Sequence, residues 1–558
     1  MNEYIDFGNL ALGYDYGSTT SILTSYDYDN NNFEERARCR SSVIIDSREN
    51  NITWPESSNQ WQQNNGFIPS PKRFLNNFGQ NEVPKVNGIK IDKIIQKFTF
   101  ERILQTSQLE KQSGIHLTVT VPETYNNTNC RLMSKACIDA FSKYFQPNFN
   151  SQGNIDLLPE PIAAALYYTY EHLDELAQQK KPIGIITCDI GGGTTDIAYV
   201  RVELKPVQNS QSYKLSFLVL ASDGYAKLGG DDITKILINK LVQQYNIPQQ
   251  ETHKGWLWDA CEDLKRKLSD AENDNELVFT DLDDNYCQSY WFSYNRTNLE
   301  NNVNEWKNED GRTFENCISG CVTKVINDAS KMLLEISDNY ANIGGKIDAI
   351  PAKDFLLLPI GGSMKMPLLR RLFQKALPHS HLVEMKDVSS TFDSVSRGAA
   401  LYSAYRLNKL PEIDYISIEN RTMYYISVLH SEHLLSTVVA RNVKTGQYDI
   451  ILYPNEILDD THFRLRELRL YQSSKEEQSV NKNTCELGVI DFGRDIEFEV
   501  NDASAKGTPI TLSIFVDAIY HEVKAKVKIE NAHEVGSKGS FCFPPDGEWL
   551  PIVTPLRD

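Results

Sequence analysis

The stretch that decides the fold is Cys188-Asp189-Ile190-Gly191-Gly192-Gly193-Thr194-Thr195-Asp196. It follows the apolar run 183–187 and precedes the β-prone run 197–200, so it predicts a strand, a tight glycine turn and a second strand. Glycines let backbone N–H groups close on phosphate oxygens without a Cβ in the way. Hydrated Mg²⁺ prefers a few carboxylates together with phosphate, which suits Asp189 and Asp196. The stretch therefore predicts a phosphate-binding hairpin, and the plainer alternative is a hairpin without a ligand.

A second segment near the N-terminus, residues 11–20, has the same order of residue types. An apolar run leads to Asp15, then to Gly17, and then to the hydroxyl residues Ser18 and Thr19. Two such hairpins predict two similar half-domains, each presenting a turn to one nucleotide. A strand–turn–strand unit differs from the P-loop and from the dinucleotide fingerprint, which both run from a strand into a helix. This organisation is similar to that of the actin-like ATPase fold.

Two further segments fit the same scheme. Residues 354–367 predict a strand, a turn formed by Gly361, Gly362 and Ser363, and a helix that begins near Pro367. Such a turn lets a flat base approach the backbone. Glu160 comes just before a helix whose first residue we expect to be Pro161. Its carboxylate either caps that helix or orients water near Mg²⁺.

These four segments, in this order, resemble the ATPase domain of the DnaK-type chaperones, the seventy-kilodalton heat-shock proteins. Residues 67–75 resemble the segment that carries the family's catalytic lysine, which corresponds to Lys72. Residues 117–125, with Pro122 and Glu123, resemble its V-x-V-P-A-x-[FY] strand and turn. Residues 221–232 resemble its G-D-x-x-L-G-G-x-D-F region and include Gly229 and Gly230.

The most specific likeness is the segment Ala260–Ser269, which resembles the family's A-C-E-x-x-K-x-x-L-S helix. On a helix, Glu262, Lys265, Arg266 and Ser269 share one face because of their spacing. The resemblance implies that the first two residues meet the ribose of adenosine and the last two meet the base. The plainer alternative is a solvated charged face. Actins lack this helix, so it favours a chaperone-like protein.

The resemblance implies a site in which Asp15 and Asp189 hold Mg²⁺, mainly through its waters, and backbone amides of both turns grip the phosphates of ATP or ADP. The expected catalytic residues are Lys72, Glu160, Asp189, Thr194 and Asp196. The expected nucleotide-binding residues are Gly17, Ser18, Thr19, Gly191, Gly192, Gly193, Thr194, Gly229, Gly230, Glu262, Lys265, Arg266, Ser269, Gly361, Gly362 and Ser363. Catalysis would come from positioning and electrostatics, as in other phosphoryl transfers.

Composition narrows the class of protein. The chain has 558 residues, which predicts more than one domain, and 41% of them are hydrophobic, enough for sizeable cores. A formal charge of −18 argues against binding to nucleic acid or to an anionic membrane surface. The sequence shows no long apolar run and no signal-like N-terminus. Its ten scattered cysteines fit a reduced compartment, so we expect a cytoplasmic protein.

The domain organisation follows from a change of pattern near Leu410. We expect an α/β actin-like ATPase domain of two duplicated lobes over residues 1–408, a divergent linker over 409–416 and an all-β, sandwich-like domain over 417–558. Within the first domain, residues 273–312 predict a strand pair and a surface loop. In the last domain, period-two patterns dominate. They resemble the family's peptide-binding domain and imply a polypeptide client; a protein–protein module is the alternative.

Three features depart from the family. The segment 408–416 replaces the acidic-leucine linker, which argues against a standard J-domain partner, while a nucleotide-exchange factor stays a candidate partner. The sequence after the last strand is short and contains Pro544, Pro545 and Pro551, so we expect no helical lid. Phe392 stands where the family has an acidic residue, with Asp393 one place later. Contacts to the base are therefore expected to differ.

The function predicted from the sequence is that of a chaperone-like protein that binds and hydrolyses Mg-ATP and couples this turnover to binding of a polypeptide. One alternative is a nucleotide sensor or scaffold whose β domain serves protein–protein interaction. Another is an actin-like ATPase that forms filaments. The helix Ala260–Ser269 and the β domain disfavour this last possibility.

Overall fold

The structure is a computed structural model of the whole chain. It describes residues 10–46, 51–54, 66–76, 83–109, 115–123, 125, 127–145, 154–179, 181–225, 227–248, 255–280, 292–342, 355–383, 390–419, 425–429, 434–440, 446–473, 476–481, 484–501, 504–517, 522–537, 540–545 and 548–552. The chain forms two compact units, of which the first extends to Ser417 and the second consists mainly of Ile418–Asp558.

The first sheet of the first unit carries the N-terminal hairpin. Its five strands lie in the order Ile155–Pro159, Ile115–Val121, Leu10–Tyr16, Thr20–Asp27 and Asn32–Arg40. The strand Leu10–Tyr16 runs parallel to Ile115–Val121 and antiparallel to Thr20–Asp27. Every residue of Ile115–Val121 is buried, as expected of a parallel strand covered on both faces.

The second sheet repeats this plan around the glycine-rich hairpin. Its strands lie in the order His381–Leu382, Phe355–Ile360, Ile183–Ile190, Thr195–Pro206, Tyr213–Tyr225 and Ile413–Glu419. The hairpin is antiparallel and its first strand runs parallel to Phe355–Ile360. Through the first five strands, the order and the directions match those of the first sheet. The unit is thus a mixed α/β structure in which one strand order occurs twice.

The remaining elements surround these sheets or connect them. The α-helices are Ile91–Phe98, Asn127–Phe145, Glu160–Glu171, Leu173–Gln178, Gly230–Gln244, Gly255–Asp270, Arg296–Glu305, Phe314–Asn342, Pro367–Ala376 and Ser390–Arg406. The short strands are Val43–Asp46, Asn51–Thr53, Phe67–Ile68, Lys85–Val86, Ile89–Lys90, Val278–Thr280 and Phe292–Tyr294. Two short 3₁₀-helices, Pro71–Asn76 and Gly362–Lys365, and one π-helix, Thr99–Leu104, also belong to this unit. A further 3₁₀-helix, Ala505–Gly507, belongs to the second unit. No helix among the described residues is both long and apolar enough to span a bilayer.

The small residues at 398–405 lie in the helix Ser390–Arg406. A Cβ on Gly398 would lie 1.8 Å from the carbonyl oxygen of Ala163, in the helix Glu160–Glu171. A Cβ on Gly13 would lie 2.1 Å from the carbonyl oxygen of Ser396. Glycine is therefore needed at both contacts. The helix Ser390–Arg406 therefore packs closely against both the helix that begins at Glu160 and the strand that carries Asp15.

The prediction for residues 273–312 is incomplete. The strand pair exists, because Val278–Thr280 pairs with Phe292–Tyr294, but the helix Arg296–Glu305 that follows it was not predicted. Asn295 caps this helix by accepting a hydrogen bond from the backbone N–H of Asn298 at 2.8 Å. Its inner face has only two apolar residues, Leu299 and Val303, which are four residues apart and both buried. The helix was not recognised from the sequence because its other residues are polar.

The second unit contains two antiparallel sheets that share one hydrophobic core. One sheet has the strands Leu435–Val439, Tyr425–Leu429, Glu456–Ile457, His462–Ser473, Thr484–Val500 and Ala532–Glu534, and the other has Gly446–Leu452, Ile510–Asp517, Glu522–Ile529, Phe541–Phe543 and Leu550–Pro551. Phe463 and Phe498 of the first sheet pack in one cluster with Leu512 and Val527 of the second. The period-two prediction of strands is confirmed, whereas the altered turn 518–521 lies outside the described residues.

Candidate functional site

The turns of the two glycine hairpins touch each other. A Cβ on Gly192 would lie 1.3 Å from Oγ1 of Thr19, and a Cβ on Gly193 would lie 3.1 Å from Cβ of Ser18. The second turn is closed by a hydrogen bond from the N–H of Gly191 to the carbonyl oxygen of Thr194, at 3.1 Å. Glycine at position 192 leaves space for Thr19, so the backbones of the two hairpin turns lie close together.

Gly229 and Gly230, in the region 221–232, pack against the turn of the second hairpin. The N–H of Gly230 donates to the carbonyl oxygen of Gly191 at 3.0 Å, and the N–H of Asp231 donates to that of Gly192 at 2.6 Å. A Cβ on Gly229 would lie 2.6 Å from the oxygen of Gly192. These residues therefore hold the turn in place by backbone contact.

The pair Lys72 and Glu160 joins two elements that are far apart in the sequence. Lys72 lies in the turn Pro71–Asn76 and donates to Oε1 of Glu160, at the start of its helix, over 2.8 Å. Both residues are buried. Burial acts to lower the pKa of Lys72, but the carboxylates of Glu160 and Asp15 outweigh it and raise that pKa. The lysine therefore stays a cation inside the site.

The carboxylates around this lysine outnumber the cations. Burial, and then the charge of Glu160, raise the pKa of Asp15 to about 7, although Lys72 and a hydrogen bond from Thr120 oppose this shift. Burial and the neighbouring carboxylates, Glu160 first, also raise the pKa of Asp189 well above its usual range. A cluster of this kind gains from a bound divalent cation.

The residues present fit a magnesium ion that arrives with phosphate. Within the described ranges, no group of three or more His, Cys, Asp or Glu side chains could hold a metal by itself. Mg²⁺ usually keeps several waters and takes one or two carboxylates together with substrate phosphates. Among the carboxylates that line the cavity, Asp15 and Asp189 belong to the strands that lead into the two turns.

The charged helix predicted at Ala260–Ser269 forms as Gly255–Asp270. Glu262 is buried and accepts a hydrogen bond from Lys265 at 2.5 Å. Burial acts against ionisation of this carboxyl, but Lys265 and further hydrogen bonds hold its pKa below the usual value. Arg266 is much more exposed and lies 3.9 Å from Glu262. The four residues predicted to share a face do line one cavity.

The turn of residues 361–363 also lines this cavity. Gly361 has a φ of 82°, in the region that favours glycine, and a Cβ there would lie 2.6 Å from Oδ1 of Asp189. Ser363 donates from Oγ to the carbonyl oxygen of Gly191 at 3.0 Å. The turn thus lies directly against the second hairpin.

Phe392, the residue that departs from the family pattern, lines the cavity. Its ring centroid lies 4.6 Å from Cζ of Arg38 and 5.6 Å from Nζ of Lys365. A Cβ on Gly362 would lie 2.6 Å from the ring. Asp393 is buried and accepts a hydrogen bond from Arg397 at 3.1 Å, so it does not replace the family's acidic residue in the cavity.

A single cavity of about 520 Å³ brings most of the predicted residues together. The predicted residues that line it are Asp15, Gly17, Ser18, Thr19, Lys72, Glu160, Asp189, Gly191, Gly192, Thr194, Glu262, Lys265, Arg266, Ser269, Gly361, Gly362 and Ser363. Gly193, Asp196, Gly229 and Gly230 do not line it. Asp196 instead lines a smaller cavity together with Glu160 and Asp189.

Two residues at or next to the site, Asp231 and Arg73, were not singled out from the sequence. Asp231 lines the cavity and accepts a hydrogen bond from Oγ of Ser70 at 2.6 Å. Arg73 donates to the carbonyl oxygen of Gly193 and, at 3.1 Å, to Asp232. Arg73 follows Lys72 and Asp231 follows Gly230, so their places beside recognised motifs were the available signal.

Comparison with known proteins gives consistent matches. The family model described as "Hsp70 protein" matches residues 153–346. Heat shock cognate 70 kDa protein 3 of Dictyostelium discoideum is 24% identical over 69% of this chain and 54% of its own length. A chaperone protein HscA homolog of Shewanella woodyi is 27% identical over 47% of this chain and 34% of its own. Chaperone protein DnaK of Psychrobacter cryohalolentis is 28% identical over 44% and 33%.

The structure defines the class of fold: a mixed α/β unit in which one strand order occurs twice, followed in the chain by a unit of antiparallel β-sheets. More particularly, the chain is similar to proteins of the Hsp70 family, at low sequence identity to the relatives named above. The matches span from about a third to about half of the length of these three relatives.

Proposed function

We propose that the first unit binds Mg-ATP and hydrolyses it to ADP and phosphate, and that this turnover controls binding of a polypeptide by the second unit. The observation that carries the proposal is that separate elements of the predicted site meet at one cavity. Both glycine turns, the buried Lys72–Glu160 pair and the charged face of Gly255–Asp270 line one cavity of about 520 Å³, a volume typical of small-molecule sites.

The polarity of the cavity supports a nucleotide in one orientation. The phosphates would lie at the two turns, where backbone N–H groups are available and the buried hydroxyl of Thr19 has no hydrogen-bond partner among the described residues. The nucleoside would lie at the other end, between Glu262 and the turn at Gly361. Phe392 and Lys365 would then replace some of the contacts that the family makes to the base.

The chain's own residues account for hydrolysis by positioning and charge. Water would attack the γ-phosphorus while the bond from that phosphorus to the bridging oxygen of ADP breaks, and the proton of the water leaves with the phosphate product. Lys72 would stabilise negative charge on the phosphate oxygens, and Glu160 holds Lys72 in place over 2.8 Å. Asp15 and Asp189 would hold Mg²⁺, whose chemistry is to neutralise phosphate charge.

Closure of two lobes on the nucleotide belongs to this proposal. The two sheets with the same strand order are the candidate lobes. Their hairpin turns approach each other at Gly192 and Thr19. A γ-phosphate held by both turns would stabilise a closed arrangement, and its loss would release that restraint.

The second unit is the candidate for polypeptide binding. Gly446–Leu452 ends the described order of its sheet, and Ile451 and Tyr453 are more than half exposed. An edge strand with apolar side chains accepts an extended peptide through main-chain hydrogen bonds. The segments 430–433 and 441–445 lie outside the described residues.

We further propose domain limits of 1–408 and 417–558 with a linker between them, a nucleotide-exchange factor as a partner, and a cytoplasmic location. The eight cysteines whose side chains the structure describes are free thiols, which supports a reducing compartment.

Two measurements on the purified chain test the proposal. The first is phosphate release from Mg-ATP, with Lys72→Ala as the inactive control. The second is binding of a labelled apolar peptide in ADP and then in ATP. Turnover together with peptide release in ATP supports the chaperone-like function. Nucleotide binding without turnover favours a sensor or scaffold, and ATP-dependent pelleting of the chain favours a filament.

A further inference from the structure

Glu123 is a buried carboxyl group that the proposed chemistry does not use. It lies two residues beyond the strand Ile115–Val121, after Pro122, and is 4% exposed. Neither of its carboxyl oxygens has a hydrogen-bond partner among the described residues. The motif that this segment resembles has alanine at the position, so the carboxyl group is a feature of this chain. An unpartnered buried polar group of this kind requires an explanation.

The carboxyl group of Glu123 lies at a small cavity next to the nucleotide site. This cavity has a volume of about 20 Å³, which is enough for one water molecule. Its polar lining includes Glu160, Asp189, Asp196, Ser222 and Asp223. The hydroxyl of Ser222 is also buried and without a partner in the described part of the chain. Two unsatisfied polar groups therefore face a space of the size of one water.

The charges that face this cavity are almost all negative. The lysines near this cavity are paired with carboxylates: Lys72 with Glu160, and Lys324 with Asp223 at 2.5 Å. An ionised Glu123 would add a further negative charge to the buried lining of this cavity, at a high cost in free energy. Burial raises the pKa of Glu123 to about 8. A neutral acid can instead donate a hydrogen bond, which its neighbours are able to accept.

We propose that the small cavity holds one water molecule through which Glu123, as a neutral acid, and Ser222 position Asp196 and Asp189 behind the phosphate site. Glu123 is then a positioning residue for hydrolysis, since it touches neither the nucleotide nor the reacting water. The proposal rests on the ATPase function proposed above.

The test compares Glu123→Gln, which stays neutral and keeps its hydrogen-bonding groups, with Glu123→Ala, which matches the family motif. Mg-ATP affinity and single-turnover hydrolysis are measured between pH 6 and pH 9. At pH 7 we expect Gln to stay within about twofold of the wild-type rate and Ala to be about 3- to 10-fold slower, with unchanged affinity. Ser222→Ala should slow hydrolysis in the same direction. Above pH 8 the wild-type rate should fall while the Gln variant stays level. Equal rates and equal pH profiles for all forms would overturn the proposal.

A measurement without nucleotide separates this inference from the ATPase proposal. Between the ordinary carboxyl pKa of 4.5 and about 8, the unfolded chain loses the Glu123 proton before the folded chain does. Wild-type stability should therefore fall more steeply than that of Glu123→Gln as the pH rises through this window. We expect the Gln variant to unfold at a Tm higher by on the order of 2 °C at pH 8, and at the wild-type Tm near pH 4.5. If this difference appears without ATP turnover, only the ATPase proposal fails. A Tm difference that is the same at both pH values contradicts the role of Glu123.

Discussion

Asp189 and Asp196 lie directly opposite each other in the register of the second hairpin, yet only Asp189 lines the nucleotide-sized cavity. Both line the small cavity behind it, together with Glu160. Opposite residues of an antiparallel pair project from the same face of the sheet. The hairpin therefore presents one carboxylate to the proposed metal and phosphates and a second one behind it.

Removal of the lysine tests the proposed chemistry. Lys72→Ala should retain Mg-ATP binding and lower single-turnover hydrolysis by about 100-fold or more, because the positive charge beside the phosphates is lost. Affinity and phosphate release are measured separately. Hydrolysis at the wild-type rate would contradict the role given to Lys72.

The same substitution leaves Glu160 buried without its partner, which costs about 3–5 kcal/mol of stability in comparable buried pairs. The matched control is Lys72→Ala combined with Glu160→Gln. This double variant should recover much of the free energy of unfolding in urea, but none of the hydrolysis. Recovery of both properties would show that the single variant was inactive only because it was unstable.

The elevated pKa of Asp15 predicts a pH-dependent stability in the absence of nucleotide. Its pKa rises from 3.8 to about 7 on folding, so the folded state binds more protons between these values. Ionised Asp15 destabilises the folded state, so the free energy of unfolding is higher at low pH and falls as the pH rises through about 7. Asp15→Asn should make the nucleotide-free protein more stable than wild type at pH 8, and similar near pH 4, by thermal unfolding.

The same Asp15→Asn variant should bind Mg-ATP at least about tenfold more weakly at pH 8, because one carboxylate of the proposed metal site is removed. Calorimetric titration with and without Mg²⁺ measures this loss. Unchanged Mg²⁺ dependence would remove Asp15 from the metal site.

The Gly255–Asp270 helix should contribute affinity for the nucleoside. Glu262→Gln is expected to lower affinity for ADP by about tenfold while changing the rate of hydrolysis at saturating ATP little, since the residue lies away from the carboxylates and Lys72. The matched control is Lys267→Ala on the same helix, because Lys267 pairs with Asp263 and does not line the cavity. Equal losses in both variants would indicate a general effect on the helix.

The close approach of the two turns predicts that Gly192→Ala abolishes nucleotide binding. Its Cβ would lie 1.3 Å from Oγ1 of Thr19 and 2.6 Å from Cβ of the same residue, so one turn must move. Gly320→Ala is the control, because that glycine lies in the helix Phe314–Asn342 with nothing within 4 Å of the added Cβ. The control should gain up to about 1 kcal/mol of stability and bind ATP normally. Normal binding by Gly192→Ala would show that the turns separate freely.

The local elements of the site could be predicted from the sequence because each has its own signal. Glycines between two apolar runs indicated both hairpins, and the spacing of Glu262 to Ser269 indicated one face of a helix. The helix Arg296–Glu305 was missed because only Leu299 and Val303 mark its buried face. The small cavity at Glu123 also carried no local signal, since its lining residues come from separate strands and from the start of a helix.

The sequence by itself determined the strand–turn–strand units, the charged helix and the alternating strands of the second unit, because these depend on residues close together in the chain. Only the tertiary structure decided that Gly193, Asp196, Gly229 and Gly230 stand outside the nucleotide-sized cavity while Asp231 lines it. Burial and backbone packing between distant segments set those positions. They also decided that Lys72 meets Glu160 and that the carboxyl group of Glu123 lacks a partner among the described residues.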